Sequence, residues 1–150
     1  QRAELAAGDA AAVLARPEFV DRRFDVILLD APCSASGVIR RHPDILQLRR
    51  ESDLLELARE QRRLLHALYP RLKPGGRLLY ATCSILPEEN DALIATLLAA
   101  FPSAQVQPIV AQTGQATQFG RQWLPLQSIG GAPATDGFYY CLLRAPLAHA

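Results

Sequence analysis

Two short apolar runs, each leading into a Cys-Ser pair, constrain this chain more than anything else in it. Phe24-Asp25-Val26-Ile27-Leu28-Leu29-Asp30 has a continuous apolar centre bounded by charge. That pattern predicts a strand buried on both faces of a parallel sheet. Arg77-Leu78-Leu79-Tyr80-Ala81-Thr82-Cys83 reads as a second strand, entered through a tight turn at Lys73-Pro74-Gly75-Gly76. Between them lies a helix from about Glu51 to Tyr69. Leu54, Leu57, Ala58, Gln61, Leu64, Leu65 and Leu68 form its core stripe. Ser52 is the expected cap, Asp53 and Glu56 favour the positive end, and Pro70 stops the helix.

A second helix is expected from Pro87, with Glu88 and Glu89 in its first turn and Leu93, Ile94, Leu97, Leu98 and Phe101 buried. Ala104–Val110 reads as a third strand weakened by Pro108, Ala111–Thr135 as a long loop, and Phe138–Leu143 as a closing strand. A strand end near Asp9 and a short helix within Ala10–Phe19 complete the reading. Strand, helix, strand, helix, then strands is the order of a doubly wound α/β sheet. Such sheets bind ligands at the carboxyl ends of their strands. Asp30-Ala31-Pro32-Cys33-Ser34 and Ala81-Thr82-Cys83-Ser84 should therefore meet at one rim.

Composition narrows the function classes. The chain has 16 Lys+Arg against 15 Asp+Glu, a net charge of +1, far from the strong excess of an obvious nucleic-acid binder. Three cysteines make an incomplete disulfide framework, so a reducing compartment, the cytoplasm, is expected. No apolar run is long enough to span a membrane. The absence of Met, with Gln1 first, suggests a piece of a longer protein. Zinc is disfavoured, because no C-x-x-C occurs and His42, His66 and His149 are not at ligand spacings. A free cysteine is usually a small core hydrophobe, the reading kept for Cys141. Cys33 and Cys83 differ in each following a strand and preceding Ser. Cys83 also lies ahead of a helix start that can lower a thiol pKa.

These segments resemble a known family. Asp30-Ala31-Pro32-Cys33-Ser34-Ala35-Ser36-Gly37-Val38-Ile39-Arg40-Arg41-His42-Pro43-Asp44 is similar to motif IV of the Sun/NSUN RNA cytosine methyltransferases. Tyr80-Ala81-Thr82-Cys83-Ser84-Ile85-Leu86-Pro87-Glu88-Glu89-Asn90 resembles their motif VI, and Asp136-Gly137-Phe138-Tyr139-Tyr140 their closing strand. The run from Gly37 to Asp44 points to the bacterial Sun (RsmB) branch, which acts on a cytosine of 16S rRNA. The resemblance implies a Rossmann-like sheet that uses S-adenosylmethionine, with 16S rRNA or a small-subunit ribosomal particle as partner. It implies that Cys83 adds to carbon-6 of cytosine, making carbon-5 nucleophilic. Cys33 would then assist breakdown of the adduct, and Asp30 would hydrogen-bond the base.

By the same resemblance Asp9, in Gly8-Asp9-Ala10, would lie near the cofactor's adenine, and Asp30 would also be a cofactor-binding residue. Arg40 and Arg41 would hold RNA phosphates, and Pro32 would direct the chain beside the substrate. Plainer readings stand next to these: Gly-Asp as a common turn, Asp30 as a strand-end carboxylate, the arginines as a solvated pair, His42 as packing and Asn90 as a helix residue. The family's glycine-rich cofactor loop and N-terminal RNA-binding region have no counterpart here. Residues 1–150 are therefore expected to be the C-terminal part of a catalytic domain, a sheet truncated at its N-terminal side and inactive alone. An open apolar edge at Phe24–Asp30 would favour homo-oligomers. The alternatives are a cysteine hydrolase using Cys83 with a distant His, and a non-catalytic RNA-binding or assembly module.

Overall fold

The computed structural model describes residues 4–125 and 135–148. Gln1, His149 and positions 126–134 of the expected loop lie outside them.

β1 forms over Phe24–Asp30 and pairs in parallel with β2, Leu72–Thr82. Ile27 lies opposite Leu78, Leu28 opposite Leu79 and Asp30 opposite Ala81. β2 begins earlier than the apolar run suggests, because Leu72 already pairs with Phe24. The chain then bulges through Lys73-Pro74-Gly75-Gly76 before Arg77 joins Val26. Gly75 takes φ +74° in that bulge, a conformation a side chain would strain.

Four further strands make the sheet mixed rather than parallel. They are β3 (Gln105–Gln107), β4 (Gln115–Ala116), β5 (Arg121–Trp123) and β6 (Phe138–Arg144), in the order β1-β2-β6-β5-β4 with β3 also on β6. β6 runs antiparallel to β2, setting Cys141 opposite Tyr80. The expected third strand shrinks to three residues, ending where Pro108 removes a ladder donor. The loop read over 111–135 is corrected in part. It contains β4 and β5, joined by a turn in which the Thr117 N–H donates to the Gly120 carbonyl at 3.0 Å.

The helices sit close to their expected places. α1 covers Ala10–Leu14, with the Asp9 carboxylate accepting from the Ala12 N–H; no strand forms at Asp9 among the described residues. A single turn, α2, spans Ile45–Leu48. α3 runs Glu51–Leu68 and tightens into one further turn over Tyr69–Arg71. Its cap is not Ser52. The Asp53 carboxylate instead reaches back to the Arg50 N–H at 3.0 Å, while the Ser52 hydroxyl leans on Asp53. α4 covers Asp91–Ala100, after a separate tight turn at Pro87–Glu89. Asn90, at φ −116° and ψ −108°, breaks the two apart, so the helix starts later than Pro87.

α3 and α4 lie on one face of the sheet. Leu64, Leu65, Leu68, Leu93, Ile94 and Leu97 pack there against Ile27, Leu29, Leu78, Tyr80, Tyr139, Cys141 and Leu143. Leu65, Leu78, Ile94, Leu97 and Leu143 are fully buried, and each contributes about 2–3 kcal/mol of transfer free energy. Cys141 is core, as expected. The expectation that β1 is buried on both faces is corrected: Val26 and Leu28 are 63% and 66% exposed. β1 is an edge strand, paired only with β2 among the described residues.

Candidate active site at the ends of two neighbouring strands

Parallel pairing of β1 and β2 carries the chemistry-bearing loops to one rim. The Ala31 N–H still donates to the Ala81 carbonyl at 2.9 Å, extending the ladder one step past β1. Both chains then turn out of the sheet, and Cys33 Sγ lies 3.3 Å from Cys83 Sγ. Both cysteines are free and half-buried, so a reagent can reach them. The first loop is turned by Ala35, whose φ of +61° is left-handed, into a tight turn over Ser36–Val38. There the Gly37 N–H donates to the Cys83 carbonyl at 2.9 Å.

The thiols are electrostatically unequal. The hydrogen bond from Cys33 lowers Cys83 to about 7, against burial and against the negative charges of Asp30 and Glu89. The same contact, with desolvation, pushes the Cys33 thiol far up. Of the two thiols, Cys83 is the one whose surroundings favour the thiolate.

Beneath the sulfurs is a buried polar cluster. Glu89 is 1% exposed and accepts from four donors on three elements. Its Oε1 takes the Ser34 N–H at 2.8 Å and Gln61 Nε2 at 2.9 Å. Its Oε2 takes the Ser34 and Ser84 hydroxyls, each at 2.5 Å. Gln61, in the buried stripe of α3, also donates to the Pro32 carbonyl at 2.8 Å. Asn90 is buried too, and is not a helix residue: it accepts from the Thr82 hydroxyl and donates to the Ser84 carbonyl and Gln122 Oε1. Sequence reasoning places Glu89 as a first-turn helix acid and Gln61 as a stripe residue, and so misses both. A glutamine on an apolar stripe is the available signal, since a buried amide needs partners. Arg49, which donates to the Ser34 carbonyl at 3.2 Å, carries no signal at all.

Of the other expected site residues, Asp30 ends β1 and is exposed; its charge reaches both Cys83 and the Tyr140 phenol, which burial chiefly raises. Pro32 is exposed between Asp30 and Cys33. Arg40 and Arg41 are about half exposed and pair with Asp136, at 3.4 and 2.6 Å. Asp9 is occupied: it caps α1 and pairs with Arg63, whose hydrogen bond is the main cause of its lowered pKa. Beside it an apolar groove of about 350 Å³ is lined by Ala6, Gly8, Ala10, Val13, Phe24 and Val26. Among the described residues no group of acidic, His or Cys side chains is arranged to hold a metal, and no histidine hydrogen-bonds either sulfur. His66 packs edge-on against Phe101, with ring centroids 5.6 Å apart. Nor is any helix among these residues long and apolar enough to cross a membrane.

Comparison with known proteins places this geometry. The "Ribosomal RNA small subunit methyltransferase B" proteins of Salmonella arizonae and Salmonella paratyphi B are 54% identical over 123 residues, covering 82% of this chain and 27% of each relative. The chain thus spans about a quarter of the length of the curated relatives it matches. A structure of NSun6 from Pyrococcus horikoshii with SFG superimposes with TM-score 0.75 at 27% identity, over 94% of this chain and 34% of that one. A methyltransferase homolog protein from Pyrococcus horikoshii gives TM-score 0.69 at 28% identity, over 92% and 43%. The sheet is that of a Rossmann-like methyltransferase. The family model described as 16S rRNA methyltransferase RsmB/F matches residues 3–144, a span that takes in both cysteine loops, and the chain belongs to that family.

Proposed function

We propose that the protein carrying this chain methylates carbon-5 of a cytosine in 16S rRNA through a covalent cysteine adduct, with S-adenosylmethionine as methyl donor. The observation that carries the reading is the 3.3 Å approach of Cys33 and Cys83, with the second thiol lowered to about 7. As a thiolate, Cys83 adds to carbon-6 of the ring and leaves carbon-5 electron-rich. Asp30, exposed at the strand end beside Cys83, is the hydrogen-bond partner for the ring nitrogen that gains a proton. After methylation, transfer of the carbon-5 proton to water and departure of the Cys83 thiolate restore the aromatic ring. Cys33 assists by donating its retained proton towards the departing sulfur.

The described residues fit one end of the cofactor. The apolar groove beside Gly8 accepts a flat ring, while Asp9 is already satisfied by Arg63 and Asp30 is open. Bound there, S-adenosylmethionine would supply an electrophilic methyl group. Arg40 and Arg41 keep about half of their surface for RNA phosphates although Asp136 holds them, and Pro32 directs the chain between Asp30 and Cys33. The partner is 16S rRNA or a small-subunit particle, met in the cytoplasm, where both thiols stay reduced.

We assign residues 1–150 to the C-terminal part of a catalytic domain that is inactive alone. Copies of the isolated chain associate through the open edge of β1, where Val26 and Leu28 are exposed; light scattering tests this. A hydrolase reading gains nothing, since neither sulfur has a histidine partner among the described residues. The deciding experiment incubates the full-length protein with RNA containing 5-fluorocytosine. An adduct through Cys83 is expected; acylation of Cys83 by acyl substrates instead, or RNA binding without any adduct, would overturn the reading.

A further inference from the structure

We propose that Glu89 is the positioning residue of the cysteine pair: one buried carboxylate that ties Ser34 to Ser84 and thereby holds Cys33 and Cys83 in register across the cleft. The inference rests on the methyltransferase reading for what the cysteines do, but not for how they are held.

Each cysteine is followed by the serine that Glu89 binds. Ser34 gives the carboxylate both its N–H and its hydroxyl, and Ser84 gives its hydroxyl. Gln61 closes the arrangement from α3, donating to Glu89 Oε1 and to the Pro32 carbonyl just ahead of Cys33. The Ser34 and Ser84 hydroxyls are also 3.3 Å apart, so the loops meet directly beneath the sulfurs. Glu89 itself is fixed from behind, where its carbonyl accepts from the buried Tyr80 hydroxyl at 2.7 Å. A carboxylate this buried needs full compensation, and four donors supply it. That environment would be wasteful for a surface helix acid; the neighbouring Glu88 is exposed.

Only hydrogen-bond acceptors are required on the Oε1 side, where a backbone N–H and an amide converge. On the Oε2 side two hydroxyls converge, and hydroxyls can accept as well as donate. Glutamine at position 89, with its oxygen towards the Ser34 N–H, therefore preserves the bridge and removes only the charge. Leucine removes both. This separates positioning from electrostatics.

The test uses the full-length protein and two readouts. One is closure of the Cys33–Cys83 disulfide by diamide, which takes two electrons and two protons from the thiols. The other is formation of the 5-fluorocytosine RNA adduct across pH. Glu89→Leu and Ser84→Ala are expected to slow both by about tenfold to a hundredfold, the penalty of a misplacement near 1 Å. Glu89→Gln should keep disulfide closure close to the wild-type rate. Its adduct-formation profile should move to lower pH, because of the groups facing Cys83 (Cys33, Asp30 and Glu89) one negative charge is gone. Glu88→Gln is the control. Should Glu89→Leu fail to fold, Ser84→Ala decides. Wild-type closure in Ser84→Ala, or closure in Glu89→Gln as slow as in Ser84→Ala, overturns the proposal. If wild-type protein forms no adduct yet closure is slowed in Ser84→Ala, the methyltransferase reading fails and the positioning role stands.

Discussion

The backbones of Gly37 and Gly137 touch: the Gly137 N–H donates to the Gly37 carbonyl at 2.8 Å, and a Cβ at position 37 would drive into the Gly137 carbonyl. Gly37 also donates to the Cys83 carbonyl, so this contact fastens the first cysteine loop both to the second and to the entry of β6. Gly37→Ala should therefore destabilise by about 1–3 kcal/mol, as overpacking against rigid backbone does, and should slow Cys83 chemistry as well. Denaturant unfolding beside a thiol-reactivity assay checks both; unchanged stability would show that the loops can separate freely.

The two cysteines should be separable by function. Cys83→Ala should abolish the RNA adduct, whereas Cys33→Ala should let it accumulate, because release rather than attack is impaired. Denaturing gels of full-length protein with ordinary RNA distinguish the two. Equal loss in both variants would refute the division of labour.

Alkylation of Cys83 by iodoacetamide should rise through a midpoint near the value of about 7. Below it the sulfur is protonated and slow; above it the thiolate fraction saturates. Cys33→Ala removes the hydrogen bond that lowers this thiol, so the midpoint should move up and neutral-pH reactivity should fall. Mass-spectrometric rates across pH give the answer.

Asp136 holds Arg40 and Arg41, and these pairs are half-exposed on the arginine side. Asp136→Asn should cost less than about 1 kcal/mol of stability. Arg40→Ala with Arg41→Ala should instead weaken RNA binding and flatten its salt dependence, by roughly 0.7 in slope for each single-strand phosphate no longer neutralised. Titrations at several salt concentrations measure it.

Asn90→Ala removes the acceptor of the Thr82 hydroxyl and the donor to Gln122 Oε1 inside the protein, and leaves the Ser84 carbonyl with Gln122 Nε2. A loss of about 1–3 kcal/mol is expected, the cost of an unsatisfied buried group. Thermal unfolding of this variant checks it.

Much of the fold is legible from residue order. β1 is readable to its ends because charge bounds an apolar run, and α3 because its leucines recur at helical steps. The meeting of the cysteines follows from their place after two neighbouring strands. Other features leave no local trace. Strands of two and three residues, β4 and β5, have no period to detect. A continuous apolar run also does not say which of its faces is covered, so the exposure of Val26 and Leu28 escapes it. Glu88 and Glu89 look alike on paper; in the tight turn over Pro87–Glu89 one is buried and the other stays in water. The Asp136 pairs include residues 96 positions apart, beyond any windowed reading.

Asp30 and Ala81 are register partners on adjacent parallel strands, and the two cysteines follow them by three and two residues. The gap between nucleophile and helper is thus inherited from the spacing of the weave, about 4.8 Å between threads. The exposed positions of the intervening helices, such as Leu55 in α3, can drift in composition without stretching it. A slipped stitch in the ladder, or a cut in the knot beneath, would pull the two thiols out of step.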